Sequence, residues 1–469
     1  MQCRAGAYAD SVTLMQVTAR AQAVSGVRAA MIAMATELNL ALLTDLGMTA
    51  PPDAGQHDLL VAIRADDGAA LSEALEVVDG ALAARAPGSQ DGGAAGQAVR
   101  PRTTSSAIAR SGAGVALVSV PGRFAFAEAA DALSRGCDVM IFSDNVPVDQ
   151  EVALKDMAAE RGLLVMGPDC GTAIVGGVGL GFANAVRSGP VGVVAASGTG
   201  AQQLTCLLDL AGVGCSAVLG LGGRDLSAAV GGRSARAALE AIDEDPATEF
   251  IVLVSKPPAP EVAATLRHYA GTLSKPVHFA LVGPGEPDLT DAAETVLRTV
   301  GALVPDWPHW TPRPGSRRRA GGALKGLFSG GTLCDEATVI ATQRIGGRHA
   351  MTDFGADELT QGRPHPMIDQ RLRLDHLAAD AEDPATAVIM LDCVLGYGAH
   401  PDPAADLTPA IAAARARSDV EVVVSLVGTH ADPQGLAAQA AAFTAAGAHV
   451  FASNAQGARF ACDLLGGRL

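Results

Sequence analysis

The spacing of apolar and polar positions changes several times along the chain, and each change predicts a different kind of element. In residues 1–86, DLLVAIRA (58–65) reads as a strand, Val27–Ala35 as a second and Arg4–Ala9 as a shorter one. Helical spacing starts at Asp10, with Asp10 or Ser11 as cap, and returns over Glu37–Leu46 and Gly68–Arg85. The order βαββα predicts a small N-terminal α+β unit, ferredoxin-like or ACT-like and incomplete. Residues 87–112 fall in a stretch rich in Gly, Ser, Pro and Ala, which predicts a linker.

From Gly114 short apolar runs alternate with helical ones. Val115–Val120, Asp138–Phe142 and Leu163–Met166 are strands, with helices over Phe124–Ser134 and Asp149–Arg161 between them. Such alternation implies an α/β fold with a parallel sheet covered on both faces. The loops at the strands' C-terminal ends then share one crevice, where ligands bind in open α/β sheets. A Rossmann-like domain is expected over 113–188 and a flavodoxin-like domain over 189–304. A Pro- and Arg-rich linker is expected over 305–325, and a second flavodoxin-like domain over 326–469.

The two flavodoxin-like segments repeat a pattern. Ser197-Gly198-Thr199 and Ser329-Gly330-Gly331-Thr332 each follow an apolar strand and open a helix. Asp-Pro-Ala-Thr then introduces a strand at Asp245 and again at Asp383, and Leu-Val-Gly closes one at Leu281 and at Leu426. An ordered set of matches favours duplication. A glycine start leaves backbone N–H groups free at the positive end of a helix dipole, which suits phosphate or carboxylate. An ordinary capped turn has the same local sequence, so the repetition is what favours a site.

Composition narrows the function. The net charge of −16 and an aromatic content of 3% argue against a nucleic-acid binder. No apolar run approaches a membrane span. Eight scattered cysteines without a C-x-x-C pair indicate a reducing, cytoplasmic setting. No G-x-G-x-x-G follows a strand and no P-loop occurs, so no nucleotide cradle is evident.

Candidate chemistry lies at predicted strand ends. His400 and His430, with Asp392 and the nearby Asp402 and Asp432, are candidates for an acid/base pair or a metal site. The alternative is loop capping, and the spacing matches no standard zinc motif, so no metal is expected. His365, between Pro364 and Pro366, is a candidate for substrate binding or for packing a turn. Arg224 is a candidate to hold a carboxylate bidentately or to pair at the surface. Cys334, just inside a helix start, is a candidate nucleophile, although packing suits both it and Cys170.

Val118–Pro121, Asp138–Pro147, Met166-Gly167-Pro168-Asp169-Cys170 and Gly192–Thr199 resemble the α subunit of succinyl-CoA synthetase. More closely, GAYADSVTLM (6–15), MIFSDNVP (140–147), LLVMGPDCGTAI (163–174), LFSGGTLCDEA (327–337), QGRPHPMID (361–369) and LDCVLGYGAHPDP (391–403) resemble the FdrA family. The synthetase resemblance implies that the helices at Ser197 and Ser329 point at one phosphate. Two departures accompany it. The phosphohistidine loop is replaced by Gly283-Pro284-Gly285-Glu286-Pro287, with His278 inside the preceding strand, and no glycine-rich CoA turn precedes Val115. The FdrA resemblance implies a subunit of a multi-component carbamoyltransferase acting on oxamate and carbamoyl phosphate in allantoin breakdown, with partner protein subunits. The alternatives are an ADP-forming acyl-CoA synthetase with a partner subunit, or a non-catalytic scaffold. The cofactor is CoA or none.

Overall fold

In unit one, strand β3 (Leu59–Ala65) buries both of its faces, because residues of both parities along it are apolar. It is the central strand of a three-stranded antiparallel sheet with β1 (Gln2–Arg4) and β2 (Val27–Met34), in the order β1-β3-β2. Helices α1 (Ser11–Gln22) and α3 (Gly68–Ala83) contribute Leu14, Val17, Ala74 and Val78 to a core with Val61 and Ile63. The short α2 (Glu37–Asp45) puts Leu43 against Leu60 and Ala62 on the other face. This is an incomplete ferredoxin-like arrangement with one extra helix. The first strand lies at Gln2–Arg4 instead of the expected 4–9, because Cys3 pairs with Leu60.

The computed structural model describes residues 1–469 except 6, 8, 10, 46, 50, 52–53, 56–57, 84–100, 313–320, 361–363 and 467–469. The Asp10/Ser11 cap, most of the 87–112 linker, the arginine run of the second linker and the first residues of QGRPHPMID lie outside that description. The chain divides into two compact units: Met1–Arg102 with Thr360–Pro364, and Thr103–Leu359 with His365–Leu469.

Unit two begins with a helix where a linker is expected. Helix α4 (Thr104–Ser111) is closed by a capping box between Thr103 and Ser106 and ends at Gly112 in the left-handed region. After it come β4 (Val115–Val118), α5 (Gly122–Ser134), β5 (Asp138–Ile141), α6 (Val148–Ala159) and β6 (Val165–Met166), a three-stranded parallel Rossmann-like sheet.

A second sheet uses β7 (Thr172–Val175), β8 (Val178–Gly181), β9 (Ser188–Ala195), β10 (Cys215–Gly220), β11 (Phe250–Ser255) and β12 (Val277–Leu281). Its order is β12-β11-β9-β10-β7-β8, with α7 (Gly198–Leu210), α8 (Arg233–Glu244), α9 (Pro260–Ala270) and α10 (Leu289–Thr299) in its connections. The β7–β8 hairpin thus joins this sheet rather than the Rossmann-like one, since Ile174 pairs with Val218.

The third sheet is built from β13 (His309–Trp310), β14 (Ala323–Phe328), β15 (His349–Asp353), β16 (Thr386–Val394), β17 (Glu421–Val427) and β18 (His449–Phe451). Its helices are α11 (Gly331–Ile345), α12 (Asp357–Thr360), α13 (Arg371–Glu382), α14 (Pro403–Arg417), α15 (Leu436–Ala445) and α16 (Asn454–Leu464). The order β15-β14-β16-β17-β18 is the flavodoxin pattern 2-1-3-4-5, and the parallel part of the second sheet, β10-β9-β11-β12, repeats it with one strand fewer. The Asp-Pro-Ala-Thr repeat has a physical role in both: Asp245 accepts the Ala247 N–H at 3.0 Å and Asp383 the Ala385 N–H at 2.9 Å, turning the chain into β11 and β16. Edge strands β8 and β13 are antiparallel additions, the latter inside the expected second linker.

The two flavodoxin-like halves meet through α7 and α10 on one side and α11 and α16 on the other. Their seam holds a buried polar network. Gln203 accepts the Asn454 N–H at 3.0 Å, and Glu336 accepts from Leu289 N at 2.7 Å and from Asn454 Nδ2 at 2.7 Å. Burial, then Asp288, pushes the Glu336 carboxyl up to about 7. Among the described residues no helix is long and apolar enough to cross a membrane.

Candidate anion site

Each half starts its first helix directly after its first strand, at the sheet edge where the strand order reverses. In the second sheet the chain leaves β9 at Ala195, and Ser197 caps α7 by accepting the Gly200 N–H at 2.9 Å. In the third it leaves β14 at Phe328, and α11 starts at Gly331 with no side-chain cap of its own. The seam between the halves brings these starts together. Ser197 Oγ lies 2.6 Å from Thr332 Oγ1, and both residues are buried. A side chain on Gly330 would begin 2.6 Å from Thr199 Cγ2. Ser197, Thr199, Gly330 and Thr332, separated by well over a hundred residues, therefore converge on one place.

Charge is gathered on the α11 side. Lys256, just past β11, puts its ammonium 2.9 Å from the point where a Gly331 side chain would begin, and pairs with Asp335 at 2.9 Å. Asp353, the last residue of β15, lies 2.6 Å from the same point through Oδ2. Burial holds its carboxyl above the usual range. The sequence signal for Lys256 is readable in retrospect: a single cation in Ser255-Lys256-Pro257, directly after an apolar strand.

Asp392 does not act as a free acid or base. Its Oδ1 accepts from Ser329 N at 2.7 Å and Ser329 Oγ at 2.9 Å and pairs with Arg373 at 3.1 Å; Oδ2 accepts from Gly330 N at 2.9 Å. Both oxygens are used to hold the turn into α11. Arg373, itself fully buried, also donates to Leu327 O and Asp392 O, tying β14 to β16 beneath the turn.

The histidines separate. His400 accepts the Asp402 N–H at 3.1 Å and lies 3.4 Å from Asp406, while its own N–H donates to Met367 O. Its carbonyl accepts from Gln434 Nε2 at 3.1 Å, and none of these partners belongs to the starts of α7 or α11. His430 is exposed and its side chain has no hydrogen bond or ion pair among the described residues. Asp432 accepts from Asn184 and from Ala185 N, a strut between the halves. His365 does reach the α11 side: its Nε2 lies 2.9 Å from the point where a Gly355 side chain would begin, beside Ser329 O and Asp353 Oδ1. Burial, then Arg373, pushes its pKa down to about 4.

Cys334 is not an activated thiol. Burial, then Asp353, Asp335 and Asp392, pushes it up to about 12, outweighing the helix start. Cys170 is likewise pushed up to about 12 by burial.

Arg224 belongs to a second crevice. Its guanidinium donates to Val146 O at 2.8 Å and pairs with Glu151 at 3.0 Å; Glu151 and Asp225 share the buried Lys155 ammonium at 2.8 and 2.7 Å. Around it Asn145 and Asp169 are the two described non-glycine residues with positive φ, at 53° and 57°. Asp169 is exposed at the surface, although protein atoms are dense around its carboxyl. Burial, then Asp357 and Asp144, pushes its carboxyl up to about 7.

A doubled flavodoxin-like frame with paired glycine helix starts, preceded by a short Rossmann-like sheet, defines a protein of the CoA-ligase class. The family described as CoA-ligase matches residues 327–464, and one described as AllF, heavy metal-associated domain, matches residues 1–99. "Uncharacterized protein YahF" of Escherichia coli (strain K12) is 37% identical, over 92% of each chain. The chain belongs to the FdrA family of succinyl-CoA-synthetase-α-like proteins. It is also similar to the ADP-forming succinate–CoA ligase subunit alpha of Aquifex aeolicus (strain VF5), 27% identical over 39% of this chain and 61% of that one. Among solved structures, a dinucleotide-forming acetyl-coenzyme A synthetase 1 of Ca. Korarchaeum cryptofilum in complex with phosphate and ADP matches at 15% identity and a TM-score of 0.29, over 75% of this chain and 84% of that one.

Residues 1–99 hold one cysteine, Cys3, and one histidine, His57. Among the described residues no group of three or more His, Cys, Asp or Glu is placed to hold an ion. The CoA-phosphate turn expected before β4 is replaced by helix α4 with its two caps. The loop after β12 offers no histidine, and His278 sits inside β12 with Nε2 buried and unpartnered.

Proposed function

We propose that this chain is the anion-binding subunit of a hetero-oligomeric carbamoyltransferase working on carbamoyl phosphate and oxamate in allantoin breakdown. The observation that carries the reading is the meeting of α7 and α11, hydroxyl to hydroxyl at 2.6 Å, with Lys256 beside them. The first N–H groups of a helix have no partner within it, so Gly198 and Thr199 on one side and Gly331 and Thr332 on the other offer donors to a small anion. Departure of phosphate from a carbamoyl group requires preorganised positive charge on the leaving oxygens, and helix starts with a lysine supply it without reorganisation. The eight free cysteines suit a reducing cytoplasm.

The CoA-ligase match over the α11 half favours a second reading, ATP-driven acyl-CoA synthesis with a partner subunit. The missing histidine in the loop after β12 weighs against it. The test uses the full chain together with the proteins that co-purify with it. Oxamate-dependent consumption of carbamoyl phosphate, lost when this chain is omitted, is expected. ATP- and CoA-dependent acyl-CoA formation without carbamoyl transfer favours the ligase, and transfer by the partners alone leaves this chain a scaffold.

A further inference from the structure

We propose that Asp353 is the proton-transfer residue of this site, acting on a substrate held beside it by Lys256 and the start of α11; the inference rests on the carbamoyl-transfer reading. The geometry comes from four separate segments. Asp353 ends β15, paired opposite Phe328, the last residue of the strand that feeds α11. One oxygen, Oδ1, is fixed by the Gly355 N–H at 2.9 Å. The other, Oδ2, accepts no hydrogen bond from a described residue and faces the space above Gly331 at 2.6 Å, with Lys256 Nζ facing the same point at 2.9 Å. On the other side of the carboxylate, the space above Gly355 is bounded by Ser329 O at 2.7 Å, His365 Nε2 at 2.9 Å and Asp353 Oδ1 at 3.2 Å.

Glycine at 331 and 355 is what keeps these spaces open, since any side chain there meets functional atoms. His365 supplies a definite donor. Its Nδ1 accepts the Met367 N–H at 3.2 Å, so in the neutral ring the proton sits on Nε2, on the Asp353 side. The site thus presents a cation, a carboxylate oxygen free to take a proton and a neutral N–H. None of these is needed to hold the turn, which Asp392 and Arg373 already secure.

The amide nitrogen of oxamate bonds to the carbamoyl carbon, and the carbon–oxygen bond to phosphate breaks. The bond's electron pair leaves on the phosphate oxygen, beside Lys256 and the helix starts. The proton lost by the nitrogen passes to Asp353 Oδ2 and from there to the departing phosphate. Charged and titratable groups facing Asp353 are Lys256, Asp335, Asp392 and Cys334, with His365 and Arg373 behind it.

The test is Asp353→Asn in the full chain with its co-purifying partners. Transfer at saturating carbamoyl phosphate and oxamate should fall at least about 100-fold, the usual yield of a general acid or base. Carbamoyl phosphate should still raise the melting temperature of the variant, and the acid limb of the wild-type pH–rate profile should vanish from any residual activity. Wild-type turnover by the variant, or loss of ligand response along with activity, overturns the proton role while leaving the anion site standing. Should Asp353→Asn not fold, Asp353→Glu provides the same reading through a shifted acid limb; an unshifted limb overturns the proposal. Absence of any transfer by the wild-type complex overturns the functional reading itself.

Discussion

The two helix starts occupy the same position in two copies of one fold, yet they are held by different means. At α7 the chain supplies its own cap: Ser197 satisfies Gly200 N, and the turn carries no charge of its own. At α11 the cap position is Gly330, and Asp392 reaches across from β16 to hold Ser329 N and Gly330 N, with Arg373 behind it. A local cap frees nothing and commits nothing else. A remote cap leaves the helix start itself side-chain-free, so Lys256 and Asp353 can approach Gly331. The α7 half contributes Ser197, Thr199 and the Lys256 ammonium, and the α11 half contributes Thr332 and the Asp353 carboxylate.

That contrast is broken most severely at Asp392. Asp392→Ala leaves the Arg373 guanidinium buried without its carboxylate, and losses of about 3–5 kcal/mol follow removal of one partner from such a pair. A urea titration should show a large drop in midpoint. Gly330→Ala comes next, because its Cβ meets three atoms of Thr199 at 2.6 to 2.8 Å. Overpacking of this kind costs about 1–3 kcal/mol. Gly198→Ala is its control: the nearest atom is Thr172 Oγ1 at 3.3 Å, and the variant should melt close to wild type. Ser197→Ala removes a cap, for about 0.5–2 kcal/mol, and leaves Thr332 without its hydroxyl partner.

A pH slope is expected as well. The His365 pKa is lowered from 6.5 to about 4, so between those values the unfolded chain binds more protons than the folded one. Stability should therefore fall as pH drops through that window, and His365→Gln should flatten the slope in denaturation curves taken across it.

Much of the fold was legible because the strands of the α/β part are near-continuous apolar runs closed by glycine or proline. The duplication was also legible, since Asp-Pro-Ala-Thr forms the same turn before β11 and β16. Helix α4 was hidden by its composition: it buries no residue fully, and its Thr and Ser caps read as linker. The β7–β8 hairpin, inside the span expected to be Rossmann-like, joins the next sheet, because local sequence does not specify a strand's neighbour. At the site, the glycine turns were found from their own residues. The roles of Asp392, Lys256 and Asp353 depend on which strand lies beside which, and no local spacing encodes that. Packing already suited Cys334 from its sequence, and a helix start lowers a thiol pKa only when burial and neighbouring carboxylates do not outweigh it.

The central claim, that α7 and α11 jointly hold one small anion, is tested most directly by calorimetric titration of carbamoyl phosphate into the full chain and into Gly198→Asp and Gly331→Asp. Each substitution puts a carboxylate at one helix start, so saturable binding by the wild type should be lost in both. Loss in only one variant, or unchanged affinity in both, contradicts a site shared between the two halves.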